Sequence, residues 1–208
     1  MDDNNDSTKL TVSRRSFIKT MGGGLLLTTA LPTGEMVQPV SAETRDQALG
    51  PDKIKLDLTV NGKKHSLEVE TRTTLAEALR DQLDLTGTKV VCDRGSCGGC
   101  TVQVSGEPVC SCMMLACDAV GQQITTIEGL AQGDQLHPLQ ECFIEADALQ
   151  CGFCTPGMVM SCKALLDRNT NPSLEDVRAA VSGNLCRCGT YPHVFEATLA
   201  AAKRIKRG

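Results

Sequence analysis

Residues 91–112 read VCDRGSCGGCTVQVSGEPVCSC and hold five of the 12 cysteines in the 208-residue chain. Three of the five follow the spacing C-x4-C-x2-C, and a further cysteine follows after eleven residues. This is the order of plant-type [2Fe–2S] sites, in which four thiolates bind two irons, two per iron. The glycines between the cysteines permit the tight turns with which one loop can surround a cluster. The predicted ligands are Cys92, Cys97, Cys100 and Cys112.

Two other uses of these cysteines fit the segment less well. Zinc sites commonly pair cysteines in two separated C-x2-4-C knuckles, whereas here three cysteines fall within nine residues, 92–100. Disulfides would leave Gly95, Gly98 and Gly99 unexplained. These glycines also let backbone N–H groups approach the sulfurs, where hydrogen bonds adjust the reduction potential.

A second cysteine set consists of a C-x2-C pair and a C-x-C pair, separated by 31 residues. Four thiolates in two pairs also suit a zinc ribbon, and the tight C-x-C pair argues only partly against one. Each pair precedes a predicted helix start, where free N–H groups favour anionic thiolates. The spacing alone therefore leaves zinc and a second cluster open. The four residues are Cys151, Cys154, Cys186 and Cys188.

The residues around the first set predict a small mixed sheet with one helix. Residues 53–60 alternate apolar and polar side chains, the strand period, and Asn61-Gly62 is a strong hairpin signal before a second strand. Thr74 and Glu77 form a capping box at the start of a helix. Two strands around a glycine turn at 101–112 and one strand near 122–130 complete the sheet.

From Leu130 onward the pattern is helical, with four short helices and short loops that predict a bundle. Thr155 and Ser173 are the predicted N-caps of the second and third helices, and the third is predicted to end at Gly183. The domain boundary is placed near Gly129. Prolines at the predicted first turns are Pro138, Pro156 and Pro192.

The N-terminal segment has the layout of an export signal. SRRSFIK contains the pair Arg14-Arg15 and resembles a twin-arginine signal; an apolar stretch follows, and cleavage is predicted after Ala42. Residues 1–42 are assigned to this signal, 43–52 to a linker, 53–129 to the sheet domain with the first cysteine set and 130–208 to a helical domain. No apolar run approaches 18 residues, so no membrane span is expected in the mature chain. The export signal predicts a periplasmic location.

Composition excludes several functions. The net charge of −4 and the 2% aromatic content provide neither a basic surface nor stacking platforms for nucleic acid. The sequence contains no Ser-His-Asp set, GxGxxG or P-loop. No catalytic residues for substrate conversion are therefore assigned to this chain.

CDRGSCGGCTVQVSGEPVCSC, HPLQ, LQCGFCTPGM and SGNLCRCGTYP together resemble the iron–sulfur subunit of the xanthine oxidase family of molybdenum hydroxylases. The resemblance covers nearly all of residues 53–204. It implies an α+β fold, with an N-terminal β-grasp plant-type ferredoxin domain followed by a four-helix-bundle domain. It implies two [2Fe–2S] clusters, the second bound by Cys151, Cys154, Cys186 and Cys188.

The resemblance also implies partners. A molybdenum-binding large subunit with a molybdopterin-type cofactor would oxidise substrate, and this chain would relay electrons one at a time to an external acceptor. Gln150 and Cys188 would contact the pterin. Many members read C-R-C-T-G-Y, whereas this chain has Gly189-Thr190, an order similar to the isoquinoline oxidoreductase and periplasmic aldehyde oxidoreductase branches. The implied substrate class is an aldehyde or N-heterocycle, and a flavin subunit or a cytochrome is a candidate acceptor.

Two alternatives are a stand-alone ferredoxin and a periplasmic protein stabilised by zinc or cysteines. A simple carrier would need only the first domain, which argues against the former. Of the remaining cysteines, Cys142 and Cys162 are expected in the core and Cys110 near the first cluster, with a Cys110–Cys117 disulfide an unsupported alternative. His137 is predicted to cap a helix rather than to bind metal.

Overall fold

The computed structural model describes residues 52–206. The predicted export signal at 1–42 lies outside the described residues, as do residues 43–51 of the linker and the last two residues. No helix between residues 52 and 206 combines the length and the apolar character needed to cross a bilayer.

The N-terminal half contains a five-stranded sheet with the strand order β2-β1-β5-β3-β4. The short β5 lies at its centre, where it pairs parallel with β1 and antiparallel with β3. The two outer pairs, β1–β2 and β3–β4, are antiparallel hairpins. This arrangement confirms the predicted mixed sheet. The strands are β1 Ile54–Val60, β2 Lys63–Val69, β3 Thr101–Val104, β4 Glu107–Cys110 and β5 Gln123–Thr125.

Local sequence accounts for the first hairpin and for the helix of this half. Asn61 and Gly62 both have positive φ, 50° and 77°, as the tight turn between β1 and β2 requires. Helix α1 (Leu75–Glu77) continues into a π-helical turn over Ala78–Gln82. The capping box is confirmed, because the Glu77 N–H donates to the Thr74 hydroxyl at 3.2 Å and the Thr74 N–H donates to the Glu77 carboxylate at 2.7 Å.

Four helices form the C-terminal half and confirm the predicted bundle: α2 Pro138–Glu145, α3 Thr155–Arg168, α4 Leu174–Ala180 and α5 Tyr191–Ile205. They enclose one hydrophobic core, while the sheet and α1 enclose another. The prediction that His137 caps a helix is also confirmed, because its Nδ1 accepts the Leu139 N–H at 3.1 Å at the start of α2.

Two predicted helix ends were wrong. Thr155 is the first residue of α3 rather than its N-cap, because the carbonyl of Cys154 already accepts the first helical hydrogen bond, from the Met158 N–H at 3.0 Å. Helix α4 ends at Ala180 and not at Gly183. The chain leaves the helix early and thereby buries Asn184 against the sheet half.

The two halves meet closely where α3 packs on the loop before β3. Gly157 of α3 lies so near Gly98 that a Cβ at position 157 would overlap the Gly98 carbonyl oxygen. The buried Asn184 side chain accepts from the Ser161 hydroxyl at 2.8 Å and donates to the Gly98 carbonyl at 2.9 Å. This contact positions one cysteine set relative to the other.

Candidate metal centres

The first cysteine set comes together beside α1. The Cys92 and Cys97 thiols contact each other, and the Cys100 and Cys112 thiols form a second contact pair. Cys100 and Cys112 are 2% and 5% exposed, whereas Cys92 and Cys97 are half-buried. The four predicted ligands are therefore arranged in two pairs, with one pair deep and one near the surface.

The loop that carries this set turns its backbone N–H groups toward the sulfurs. Gly95 and Gly98 adopt positive φ, 70° and 66°, a conformation that glycine reaches without strain. The Gly95 N–H lies 3.3 Å from the Cys112 sulfur, and the Gly99 N–H lies 3.5 Å from the Cys97 sulfur. Such N–H groups stabilise thiolate charge.

The second set is assembled from the start of α3 and the loop before α5. The Cys151 thiol contacts Cys188, and the Cys154 thiol contacts Cys186. Cys154 and Cys186 are half-buried, while Cys151 and Cys188 are exposed. The C-x2-C pair and the C-x-C pair are thus interleaved, with each contact joining one cysteine from each pair.

Hydrogen bonds fix the chain around Cys186. The Cys186 N–H donates to the Tyr191 phenol oxygen at 2.8 Å, and that phenol donates to the Asn184 carbonyl at 3.1 Å. The Thr190 hydroxyl lies 3.2 Å from the Cys186 sulfur, and the backbone N–H groups of Gly189 and Thr190 also face that sulfur. These contacts were not predicted from the sequence, although Thr190 and Tyr191 follow closely after the cysteine motif.

Thiol acidity differs within the sets. The backbone N–H of Arg94 lowers the pKa of Cys92 to about 7. Burial acts against ionisation of Cys186, but hydrogen bonds from Thr190, Cys154 and Gly189 together outweigh it and lower its pKa to about 7. Burial raises the pKa of Cys112 to about 11 and that of Cys154 to about 12. Metal binding at either set would therefore release protons from its buried thiols.

The arrangement fits a dinuclear cluster at each set. Two iron atoms need two thiolates each, and the predicted ligands of each set are in contact two by two. The Cys110 thiol also contacts Cys100 in the first set. Among residues 52–206, no three or more Cys, His, Asp or Glu side chains converge on one ion position. The Thr155 hydroxyl, next to Cys154, is buried without a hydrogen-bond partner, and a cluster sulfur is a suitable acceptor for it.

Comparisons with known proteins agree with this arrangement. Residues 58–131 match the family described as "2Fe-2S iron-sulfur cluster binding domain", and residues 126–199 match the "[2Fe-2S] binding domain". The aldehyde oxidoreductase iron-sulfur-binding subunit PaoA of Escherichia coli O157:H7 is 41% identical over 212 residues, which cover 95% of this chain and 91% of the relative. The nicotinate dehydrogenase small FeS subunit of Eubacterium barkeri is 44% identical over 153 residues, with 74% and 98% covered.

Among solved structures, quinoline 2-oxidoreductase from Pseudomonas putida 86 has a chain that matches with a TM-score of 0.72 and 45% identity, covering 76% of this chain and 98% of that one. The chain belongs to the iron–sulfur subunits of the xanthine oxidase family of molybdenum hydroxylases. It carries two [2Fe–2S]-binding domains and is the electron-transfer subunit of a complex that includes a molybdenum-binding subunit.

In this molybdenum hydroxylase subunit, the two cysteine sets are directly linked. The Leu185 N–H donates to the Cys97 carbonyl at 2.9 Å. Cys97 belongs to the first set, and Leu185 precedes Cys186 of the second set in the chain. A single hydrogen bond therefore joins the backbones of the two predicted ligand loops.

The predicted pterin-contact residues of the subunit lie on its surface. Gln150 and Cys188 are both exposed, and the Cys188 thiol contacts Cys151, the neighbour of Gln150. Phe153 and Leu185, each 59% exposed, are the apolar neighbours of this cysteine set in the chain. The site is accessible to a partner, and the pterin contact itself remains a prediction.

The other four cysteines are not paired with one another. Cys142 and Cys162 are buried in the bundle core. Cys110 lies beside the first set, with its thiol 3.8 Å from the Gly95 carbonyl, and Cys117 lies 3.9 Å from the Thr71 carbonyl. All twelve cysteines fall within the described residues and none forms a disulfide, so the Cys110–Cys117 bridge is not formed.

Proposed function

We propose that this subunit serves an exported complex that oxidises aldehydes, and that electrons leave the molybdenum site of the large subunit through the bundle centre and then the ferredoxin centre. The match to the aldehyde oxidoreductase subunit PaoA covers 95% of the chain, whereas the match to the nicotinate dehydrogenase subunit covers 74%. The part of the chain that PaoA does not match is therefore shorter than the 52 residues before the first domain, so the match to PaoA extends into that N-terminal segment. This favours the aldehyde-oxidising branch.

The hydrogen bond from Leu185 to Cys97 supports electron transfer between the two centres. Each cluster, when bound, accepts and releases one electron at a time. The residues of the chain hold the two sites together: the 2.9 Å bond joins the ligand loops, and the buried Asn184 supports it from the next position. Gln150 and Cys188 are exposed beside the bundle site, which supports their proposed contact with the molybdopterin-type cofactor.

The ligand assignment extends the same proposal. Cys92 with Cys97 would bind one iron of the first cluster and Cys100 with Cys112 the other; in the second cluster, Cys151 pairs with Cys188 and Cys154 with Cys186. The pairwise thiol contacts support this division.

The deciding experiment uses the purified complex, reduced anaerobically with dithionite. Electron paramagnetic resonance (EPR) spectra and counts of iron and acid-labile sulfide are recorded on one sample. We expect two distinct [2Fe–2S] signals and about four irons per chain. Cys186→Ser should remove one signal and Cys112→Ser the other, whereas the matched control Cys142→Ser should retain both. One signal with about two irons, and zinc in the remainder, would contradict the proposal.

Substrate and export are tested separately. Turnover of an aromatic aldehyde well above that of an N-heterocycle would support the aldehyde proposal; N-heterocycle oxidation, favoured by the nicotinate and quinoline relatives, is the second candidate.

Replacing Arg14 and Arg15 by Lys should keep the loaded complex in the cytoplasm if residues 1–42 are a twin-arginine signal. Co-purification would decide between a flavin subunit and a cytochrome as acceptor.

A further inference from the structure

Thr190 occupies a helix N-cap position but does not act as a cap. Threonine at this position normally accepts a hydrogen bond from an N–H of the first helical turn, yet the Thr190 side chain makes no such bond to α5. Its hydroxyl oxygen lies instead 3.2 Å from the Cys186 sulfur. The Thr190 side chain therefore contacts the Cys186 sulfur and does not cap helix α5.

The direction of this hydrogen bond follows from the state of the sulfur. An iron-bound cysteine is a thiolate and has no proton to donate, so the Thr190 hydroxyl is the donor and the Cys186 sulfur the acceptor. The Tyr191 phenol holds the Cys186 backbone through a 2.8 Å bond from its N–H. Both ends of the contact are thus fixed by the same turn.

The order of residues 189 and 190 makes the contact geometrically accessible. Gly189 has a φ of 79°, a conformation in which a β-branched residue such as threonine is strained. Thr190 has a φ of −73° and is unstrained. With glycine first and threonine second, the chain turns back toward Cys186 and still presents a hydroxyl to its sulfur.

We propose that Thr190 is a positioning residue that raises the reduction potential of the bundle cluster by donating a hydrogen bond to the Cys186 sulfur. Reduction adds negative charge to the cluster and its thiolates, and a donor that faces a ligand sulfur stabilises the reduced form more than the oxidised form. The consequence is a bundle centre better able to accept electrons from the large subunit. This inference rests on the proposed ligation by Cys186.

The chain offers a matched control. The Thr198 hydroxyl also contacts a cysteine sulfur, that of Cys162 at 3.1 Å, while it donates its proton to the Val194 carbonyl at 2.7 Å. Thr198 lies in α5 only eight positions beyond Thr190, but Cys162 is buried in the bundle core and belongs to neither ligand set. Thr198→Val therefore removes a hydroxyl–sulfur contact of similar length without altering a predicted ligand.

The test is an EPR-monitored redox titration of the loaded complex, with iron counted on every sample. Thr190→Val should lower the midpoint potential of one cluster signal, with the reduced-to-oxidised ratio at fixed potential falling roughly tenfold, or about 59 mV for a one-electron couple. The other signal should not move. Thr190→Ser should stay at the wild-type potential, and Thr198→Val should leave both potentials unchanged.

Two results would overturn the inference: unchanged potentials in Thr190→Val at full iron content, or an equal shift in Thr190→Ser. If Thr190→Val does not assemble its cluster, Thr190→Ala removes the hydroxyl with less bulk and must give the same downward shift. Failure of the ligand assignment is seen separately, because Cys186→Ser would then retain both EPR signals.

Discussion

The Asn184 side chain donates a 2.9 Å hydrogen bond to the carbonyl of Gly98, 86 positions away in the chain. Gly98 stands in the loop between Cys97 and Cys100, and Asn184 precedes Cys186 by two positions. One buried side-chain amide thus fixes the cysteine loop of the ferredoxin half relative to the cysteine loop of the bundle half.

Asn184→Ala should destabilise the interface between the halves. The change leaves the buried Ser161 hydroxyl without its acceptor and removes the Asn184 donor from the Gly98 carbonyl, which keeps the Thr101 hydroxyl and N–H as donors. We expect a loss of about 1–3 kcal/mol in the free energy of unfolding. Anaerobic urea denaturation measures it, with Ser182→Ala, which removes an exposed hydroxyl bond, as the control. Equal midpoints for the two variants would contradict the assigned role.

Gly157→Ala should push α3 away from the cluster loop. The added methyl group would overlap the Gly98 carbonyl oxygen, a backbone atom that cannot rotate away. Overpacking of this kind costs roughly 1–3 kcal/mol. Gly183→Ala is the matched control, because a Cβ there meets no atom within 4 Å. Visible circular dichroism and iron content should change in the first variant and not in the second; similar spectra for both would exclude this close approach.

Cys110→Ala should leave both clusters in place. Cys110 contacts the first set, with its thiol beside Cys100 and 3.8 Å from the Gly95 carbonyl, but the two pairs of predicted ligands are complete without it. We expect about four irons per chain and two EPR signals, whereas Cys112→Ala should lose about two irons and one signal. Loss of iron in Cys110→Ala, with retention of iron in Cys112→Ala, would show that Cys110 rather than Cys112 is the cluster ligand.

Acidification should weaken the start of α2. Burial, with a contribution from Lys163, lowers the pKa of His137 below its ordinary value of 6.5, and its Nδ1 must stay unprotonated to accept the Leu139 N–H. The unfolded chain therefore binds a proton at a higher pH than the folded chain. Stability is fully present above about pH 6.5 and declines as pH falls from there toward the lower folded pKa.

The measurement for this prediction is urea denaturation between pH 7.5 and 5.0, compared with His137→Gln and with His65→Gln as control. The decline attributable to His137 should be absent from His137→Gln and present in His65→Gln. An unchanged pH dependence in His137→Gln would show that His137 does not carry it.

Features of the fold that depend on near neighbours in the chain could be predicted from the sequence. The Asn61-Gly62 turn and the capping box of Thr74 and Glu77 are local, since each requires only a few consecutive residues in a preferred conformation. The four helices follow from the period of their apolar residues. The end of α4 could not be predicted, because burial of Asn184 against the other half, rather than helix propensity, ends that helix.

The candidate site shows the same division. Spacing and glycines indicated the first cluster, yet spacing could not tell which cysteines of the second set would be in contact. The contacts of Cys151 with Cys188 and of Cys154 with Cys186 depend on how α3 packs beside the loop before α5. The close approach of Gly157 to Gly98 could not be predicted either, because a glycine near a helix start does not by itself indicate contact with another segment of backbone.

The bond between Leu185 and Cys97 is made by main-chain atoms alone, a peptide N–H and a peptide carbonyl. The Leu185 side chain does not participate and is 59% exposed. A substitution at position 185 by any residue other than proline can therefore change this exposed surface without removing the contact between the ligand loops. The chemistry of this surface and the link between the two ligand loops are consequently set by different atoms of one residue.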